Sequence, residues 1–387
     1  MISRILIPVL FLILLPDLYI YMHYLRRGLA PFRRVLWWVP SVAMVVYTVA
    51  MTLPDSFAPA DISVLNRYLF FLGIIVVPKA LFALFSCIGL VGCRLFHTRL
   101  NWGNLAGLFL AAAAISITVY GSTIGFMKLE VRNVEYRSKD VPPAFDGYRI
   151  LHFSDAHVGS YTGEYMKILE KAVQRMNGLD ADAIVFTGDL QNMHPREIYP
   201  VAETLGRLKA KDGVFSVLGN HDYADYVECS AEEKRANEHA TMACERRMGW
   251  QLLINENRVI RRDNDSIVIA GMENDGRPPF PQRGDIRKTL AGVGDSAFVV
   301  MLQHDPTSWR RTILPKSGAQ LTLSGHTHAM QFSVFGWSPA SFVYNEWGGM
   351  YSEGDRALNV SVGLGGFIPF RFGATGEVVV VTLKHGN

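Results

Sequence analysis

Five short clusters of histidine, aspartate and asparagine recur along the last two-thirds of the chain. They are Ser154-Asp155-Ala156-His157, Thr187-Gly188-Asp189, Gly219-Asn220-His221-Asp222, Gln303-His304-Asp305-Pro306 and Ser324-Gly325-His326-Thr327-His328. Carboxylate oxygen and imidazole nitrogen bind divalent metals at about 2.0–2.2 Å. A mixed Asp/His/Asn set suits Mn, Fe or Zn rather than calcium, which prefers oxygen alone. A carboxylate shared between two ions holds them about 3.5–4 Å apart, a spacing that activates a water and neutralises charge during phosphoryl displacement. Histidines at i and i+2 share one face of a strand but stand about 6–7 Å apart along it. His326 and His328 therefore need a tight turn to converge.

Each cluster follows a short β-rich apolar run: Arg149–Phe153, Ile184–Phe186, Phe215–Leu218, Phe298–Leu302 and Leu321–Leu323. In sheet-based α/β proteins, sites gather beyond the strand ends, and glycine lets the backbone turn close to bound groups. Strands are expected at Tyr148–Phe153, Ala183–Phe186, Val214–Val217, Ser266–Ala270, Ala297–Leu302, Gln320–Leu323 and Glu377–Leu383. Helices are expected at Met166–Met176, Ile198–Leu208, Ala231–Met248 and Gly284–Leu290. Asn255–Asn257 reads as a hairpin turn between Leu252–Ile254 and Arg258–Arg261. The alternation makes an α/β domain with sheets inside and helices outside. His152, inside the first strand, reads as structural because its side chain alternates away from Phe153. His194 and His239 read as surface residues, and His23 and His97 as lying near a membrane interface.

The ordered set Asp155-x-His157, Gly188-Asp189, Gly219-Asn220-His221-Asp222, His304 and Gly325-His326-x-His328 resembles the calcineurin-like metallophosphoesterase superfamily over about residues 148–384. The resemblance implies an αββα sandwich of two mixed sheets flanked by helices, and two divalent metal ions. It implies that Asp155, His157 and His328 bind the first ion, that Asn220, His304 and His326 bind the second, and that Asp189 bridges them. It also implies that His221 sits near the leaving oxygen as general acid. Asp222 is expected either to orient His221 or to serve as a turn aspartate. The chain departs from the family pattern at Asn192, where many members carry an acidic residue or an arginine, and at Ala329-Met330, which replace glycines.

The first third has a different texture. Ile5–Leu25, Val35–Leu53, Tyr68–Val91 and Leu105–Phe126 are apolar runs near the roughly 20 residues that span a bilayer. The first run lacks the basic region and cleavage site of a signal peptide. The chain thus reads as a four-helix transmembrane anchor, 1–127, followed by the α/β domain, 128–387. The anchor carries nine Lys/Arg and three Asp/Glu, a balance of +6, and the remainder carries −3. Arg26, Arg27, Arg33 and Arg34 crowd the first loop and Arg94 and Arg99 the third, whereas the second holds Asp55, Asp61 and Arg67. The positive-inside rule places loops one and three in the cytoplasm, with Arg4 arguing weakly the other way. The second domain is then expected to face the periplasm or exterior from the cell inner membrane. Asp17 and Lys79 fall inside apolar runs. They either pair across two helices or snorkel separately, since unpaired charge at that depth is costly. Small residues such as Gly107 and Ala111–Ala114 suit close helix packing.

No basic stripe with interleaved aromatics is present, so nucleic acid is not an expected partner. The expected partners are a phosphoester substrate and the bilayer. Cys229 and Cys244, if on one helix, lie roughly 22 Å apart, beyond the about 7 Å a disulfide allows. All four cysteines are expected as free thiols. After the last cluster come Phe332, Phe335, Trp337, Phe342, Tyr344 and Trp347, read as a strand pair closing the sheet or as an apolar lip for a lipid tail or bilayer. Arg371, in the tail Gly363–Arg371, is read as facing an anionic substrate or as pairing on the surface. The membrane-anchored layout resembles bacterial envelope phosphoesterases related to UDP-2,3-diacylglucosamine hydrolases of lipid A biosynthesis. That resemblance implies a phosphodiesterase- or pyrophosphatase-type hydrolase of a lipid-linked substrate. That reaction is cytoplasmic, in conflict with the orientation derived above. A membrane-bound sensor or scaffold with little catalysis is the alternative, and His221 speaks against it because a scaffold needs no acid.

Overall fold

The computed structural model describes residues 5–28, 30–54, 56–59 and 61–386. Arg4 and Asp55, used above to weigh orientation, lie outside the described residues. Contacts divide the chain into two units, residues 1–124 and 125–387.

In the first unit the apolar runs form helices. Leu6–Ile20 continues through one wider turn, Tyr21–Leu25. Pro31–Ala50 follows. Ile62–Phe71 runs through a second wide turn, Leu72–Val76, into Val77–Leu95. Trp102–Tyr120 ends in a third, Gly121–Gly125. The turn at Leu72–Val76 sits just before Pro78, where the missing N–H and the ring prevent an ordinary helical turn. By length and composition, Leu6–Leu25, Ile62–Leu95 and Trp102–Gly125 are able to cross a membrane. Pro31–Ala50 is diluted by Arg33, Arg34, Pro40 and Ser41. A Cβ on Gly107 would sit 3.0 Å from the Phe82 backbone, so glycine permits the close approach of the last two helices.

Asp17 and Lys79 meet. Lys79 Nζ lies 2.8 Å from Asp17 Oδ1 and 3.0 Å from Ser41 Oγ, and Ser41 donates to Asp17. Lys79 also sits over the Trp37 ring, 4.7 Å from its centre. Three helices thus share one buried charge cluster. Removing one partner strands the other in an apolar setting, which costs about 3–5 kcal/mol. Lys79→Met alone is expected to lower detergent-state stability by about 3 kcal/mol. Adding Asp17→Asn should restore most of it in a double-mutant cycle, and strictly additive losses would mean the pair does not act as one.

The second unit contains two six-stranded mixed sheets. In spatial order the first comprises Leu129–Ser138, Gly376–His385, Arg149–Phe153, Ala183–Phe186, Val214–Ser216 and Gln251–Leu252. The second comprises Gly349–Glu353, Arg356–Val360, Leu321–Ser324, Phe298–Leu302, Asp265–Gly271 and Glu256–Arg262. Strand alternation sorts the layers. Ile150, Val185, Phe215, Ile269, Val300, Leu323 and Val381 pack in the core between the sheets. Leu151, Phe153, Ile184 and Phe186 point the other way, onto Leu169, Val173 and Met176 of the helix Met166–Asn177. On the far side Val268, Ala270, Val299 and Met301 pack on Trp309 and Ile313. This is the expected αββα arrangement.

Four local expectations change. The helix expected at Ile198–Leu208 is reduced to the turns Pro195–Glu197 and Ala202–Leu205, because Pro200 interrupts it. The helix expected at Gly284–Leu290 shrinks to Ile286–Thr289, capped by Asp285. No hairpin forms about Asn255–Asn257. The chain instead crosses between sheets there, from Gln251–Leu252 to Glu256–Arg262. Asn255 pins the crossing by accepting from Glu273 N (3.1 Å) and Asp285 N (2.9 Å). The aromatic segment after His328 forms no strand pair, only the single bridges Phe332–Phe372 and Val334–Trp337. The four cysteines are free.

His152 is buried between the sheets, bonded to Thr187 Oγ1 at 2.9 Å and Asn359 Nδ2 at 3.1 Å. Burial, aided by Arg132, lowers its pKa to about 3. The unfolded chain takes up this proton near pH 6.5 and the folded chain does not, so stability falls as pH drops from 6.5 toward 3. His152 should account for roughly 2 kcal/mol of loss between pH 6.5 and 5. Thermal unfolding at the two pH values, compared with His152→Gln, checks it; equal pH slopes would remove His152 from the account.

Candidate metal centre

The turns after the parallel strands bring the five clusters together from both sheets. Several of their residues adopt left-handed backbone: Asp155 (φ 52°), His157 (46°), Asp189 (61°), His326 (74°) and His328 (51°). Non-glycine residues rarely sit there, and such strain concentrates at functional sites. Two glycines are fixed by space. A Cβ on Gly188 (φ 96°) would strike the Gly219 backbone, and one on Gly325 would strike Ser154 Oγ and Asp155 Oδ2.

Two groups of side chains result, each with its ligand atoms within 4.8 Å of one another. Asp155, His157, Asp189 and His328 form the first; Asp189, His304 and His326 form the second. Asp189 is common to both. In the first group His157 Nε2 lies 3.1 Å from His328 Nε2 and 3.6 Å from Asp189 Oδ2, and His328 Nε2 lies 3.1 Å from Asp155 Oδ1. In the second, His304 Nε2 lies 3.2 Å from Asp189 Oδ2, 3.1 Å from Asn220 Oδ1 and 3.3 Å from His326 Nδ1. Asn220 therefore joins the second group.

The donor set fits divalent metals. Imidazole nitrogens face one another at 3.1–3.3 Å and converge with the Asp155 and Asp189 carboxylates within 4.8 Å, a set of donor atoms that a cation between them would take. The outer atoms support this orientation, as metal-binding histidines usually require. His304 Nδ1 donates to the Thr187 carbonyl at 2.7 Å, turning the Nε2 lone pair inward. Tyr344 Oη lies 3.2 Å from His326 Nε2, leaving Nδ1 inward. Asn220 Nδ2 donates to Tyr226 Oη at 2.7 Å, so its oxygen faces His304.

Charge is balanced within the cluster. Burial alone would raise the Asp155 and Asp189 carboxyls, but the adjacent histidines outweigh it and hold both below the usual carboxylate range. Burial opposes charge on His304 too, yet Asp189 and Asp155 lift it to about 10. Without an ion, the His304 imidazolium answers the charge of the two carboxylates; a bound cation would take over that role and displace the Nε2 proton. Burial pushes His157 and His326 down.

His221 stands beside this cluster. Its backbone N–H donates to Asp189 Oδ1 at 2.8 Å. Its ring is 4.8 Å from His157, is stacked on Tyr226 at 4.1 Å, and meets Phe367 at 5.5 Å. Its Nδ1 is 2.5 Å from the Asn192 carbonyl. A carbonyl only accepts, so Nδ1 carries the proton. The expectation that Asp222 orients this ring is corrected. Asp222 instead accepts backbone N–H groups of Asp189, Leu190, Gln191 and Gly219 at 2.8–3.3 Å. A short side chain on the same turn reaches the backbone before it reaches the imidazole. Burial and the Asp189 charge raise its pKa to about 7.

The loop bearing the Asn192 carbonyl is tied by Glu197, which accepts from the N–H groups of Asn192, Met193 and His194. Arg371 does neither thing expected of it. It is buried and donates to the carbonyls of Val362, Gly363, Gly365 and Ala374, fixing the loop behind Asp155. Sequence spacing offers no signal for Tyr226, Tyr344 or Glu197, because their roles are to hold ligands or backbone rather than to complete a motif.

A double-sheet α/β unit with this Asp/His cluster at its strand ends, following a run of apolar helices, defines a membrane-bound metallohydrolase. Residues 148–330 match the family model for the calcineurin-like phosphoesterases. Residues 3–126 match that of the probable calcineurin-like phosphoesterase transmembrane domain. The chain is 31% identical over 302 residues to the uncharacterized metallophosphoesterase YkuE of Bacillus subtilis, covering 73% of this chain and 97% of that one. It is 28% identical over 329 residues to a Danio rerio transmembrane protein with metallophosphoesterase domain, covering 81% and 72%. It is 26% identical over 284 residues to the UDP-2,3-diacylglucosamine pyrophosphatase LpxG of Chlamydia trachomatis, covering 61% and 83%. The chain belongs to the calcineurin-like metallophosphoesterase family. Enzymes of this family use divalent metals, and the two Asp/His groups described above are able to bind them.

Proposed function

We propose that this protein hydrolyses a phosphoester or pyrophosphate bond of a lipid-linked envelope substrate. The observation that carries the hydrolytic reading is Asp189, shared by two ligand groups and bonded to the backbone of His221. Asp155, His157, Asp189 and His328 would hold one ion, and Asp189, Asn220, His304 and His326 the other. When bound, the pair supplies an activated water nucleophile and neutralises charge on the phosphoryl oxygens. The water adds to phosphorus, the bond to the leaving oxygen breaks, and His221 Nε2 gives that oxygen its proton. Burial keeps His221 below its ordinary pKa in the free protein. An anionic phosphoester alongside it would favour the imidazolium that acts as acid. Asp222 holds the turn and Asn192 O holds the ring.

The lipid-linked part is supported by the membrane helices and by the Chlamydia relative, whose name gives a diacylated nucleotide-sugar as substrate. The arginine-rich first and third loops support an exterior-facing catalytic unit. That orientation favours a lipid phosphoester on the outer face over cytoplasmic UDP-2,3-diacylglucosamine. A C-terminal alkaline phosphatase fusion decides the side.

Purified full-length protein with Mn²⁺ should hydrolyse bis(p-nitrophenyl) phosphate, lose that activity on chelation and regain it on adding metal. A panel of lipid phosphoesters and nucleotide-sugars then assigns the class. Two bound metal equivalents with no hydrolysis of any phosphoester would overturn the enzyme reading in favour of a sensor or scaffold.

A further inference from the structure

We propose that Met330–Val343 is a membrane-contact loop that seats aromatic side chains in the bilayer interface beside the metal centre. From Ala329 to Asn345 the chain has seventeen residues and not one Asp, Glu, Lys or Arg. Among the described residues of the second unit, nine large apolar side chains are exposed, and five of them lie in this segment: Met330, Phe335, Trp337, Phe342 and Val343. Phe335 is 105% exposed and Phe342 81%. Concentrated apolar exposure of this kind marks an interaction surface rather than scatter.

The backbone is shaped to present these rings. Val334 and Trp337 exchange N–H···O bonds at 2.9 and 3.0 Å, with Phe335 (φ 51°) and Gly336 (φ 77°) at the tip. Such a two-residue turn favours Asn-Gly. Placing phenylalanine there costs backbone strain as well as aromatic exposure, so water alone gives this residue no advantage. Nor is the tip loose. Trp337 packs edge-on against Phe342 at 5.6 Å, Phe332 stacks on Phe372 at 5.6 Å, and Ser338 Oγ donates to Ala329 O at 2.6 Å. The result is a braced wedge.

The occupant that fits is a lipid surface. The chain carries its own membrane helices, so a bilayer is always within tether of this unit. Tryptophan and phenylalanine on an uncharged segment suit the bilayer interface. The loop is also continuous with the chemistry. It starts two residues after His328, and Tyr344, one residue past its end, lies 3.2 Å from His326 Nε2. A phosphoester carried on a lipid would thus reach the ligands without leaving the membrane surface. This last step rests on the lipid-linked reading above; membrane contact does not.

The test uses the full chain in phosphatidylcholine–phosphatidylglycerol vesicles, with photoreactive benzoylphenylalanine in place of Phe335, Phe342 or Tyr199, the last being an exposed control. Irradiation should give phospholipid adducts at positions 335 and 342 at least five-fold above 199. Crosslinking at 335 and 342 to a second copy of the chain, or to nothing, would overturn the proposal. In parallel, the double variant Phe335→Ser/Phe342→Ser should keep hydrolysis of soluble bis(p-nitrophenyl) phosphate within two-fold. It should lose at least ten-fold on a bilayer-held phosphoester. Adducts without turnover of any bilayer-held phosphoester would keep the loop and sink the substrate reading. Turnover without adducts would do the reverse.

Discussion

Asp189→Asn should lower phosphodiester turnover by about 10³-fold or more, equivalent to roughly 4 kcal/mol of transition-state stabilisation, and leave fewer than two bound metal equivalents. The substitution keeps the shape of the side chain and an oxygen to accept from His221 N, 2.8 Å away. It removes the negative charge that serves both ligand groups. His157 Nε2 and His304 Nε2 approach the same oxygen, at 3.6 and 3.2 Å. An amide there cannot balance two divalent ions brought within a few ångströms of each other. Metal content by mass spectrometry and turnover of bis(p-nitrophenyl) phosphate, measured on the same preparation, give the answer. Two equivalents of metal with a tenth or more of the activity would remove Asp189 from its bridging role.

His221→Ala should cost about 10²–10⁴-fold in kcat, the range of a positioned general acid, with metal content unchanged. The ring is held on three sides by Asn192 O, Tyr226 and Phe367, which is a tight hold for a residue that is in neither metal-binding group. The loss should be larger for alkyl phosphodiesters than for nitrophenyl ones, since a good leaving group needs little help from an acid. An equal loss across leaving groups would assign His221 to substrate binding. Fold damage is separable, because the thermal midpoint of His221→Ala should stay near that of the parent.

The family was legible in the sequence because the chemistry is local. Each ligand follows an apolar strand by two to four residues, and glycines that allow tight turns sit beside several of them. The membrane helices were equally legible, since some twenty apolar residues are needed whatever surrounds them. The charges on Asp17 and Lys79 were visible as an anomaly, but whether they meet depends on how helices 62 residues apart in sequence pack.

Elsewhere the answer lay in contacts between distant segments. Sequence reading assigned Asp222 to His221 as one of two options, yet the carboxylate is taken by four backbone N–H groups and the ring by a carbonyl from another loop. Arg371 looked like a surface or substrate cation and is instead enclosed by carbonyls. The edge strand Leu129–Ser138 carries only two short alternating stretches, Leu129/Val131 and Val134/Tyr136, which change phase at Arg132–Asn133, and it forms by pairing with Gly376–His385.

The sequence alone determined the ligand types, their order on the strands and the presence of a membrane anchor, because residue chemistry and hydrophobic period are properties of short segments. Only the tertiary structure decided which side chains and carbonyls orient the ligands and His221, and which of two readings of the aromatic segment after His328 holds: it stands exposed instead of closing a sheet. Those outcomes depend on which backbone groups and lone pairs from distant loops are left to satisfy one another, and no local pattern records that.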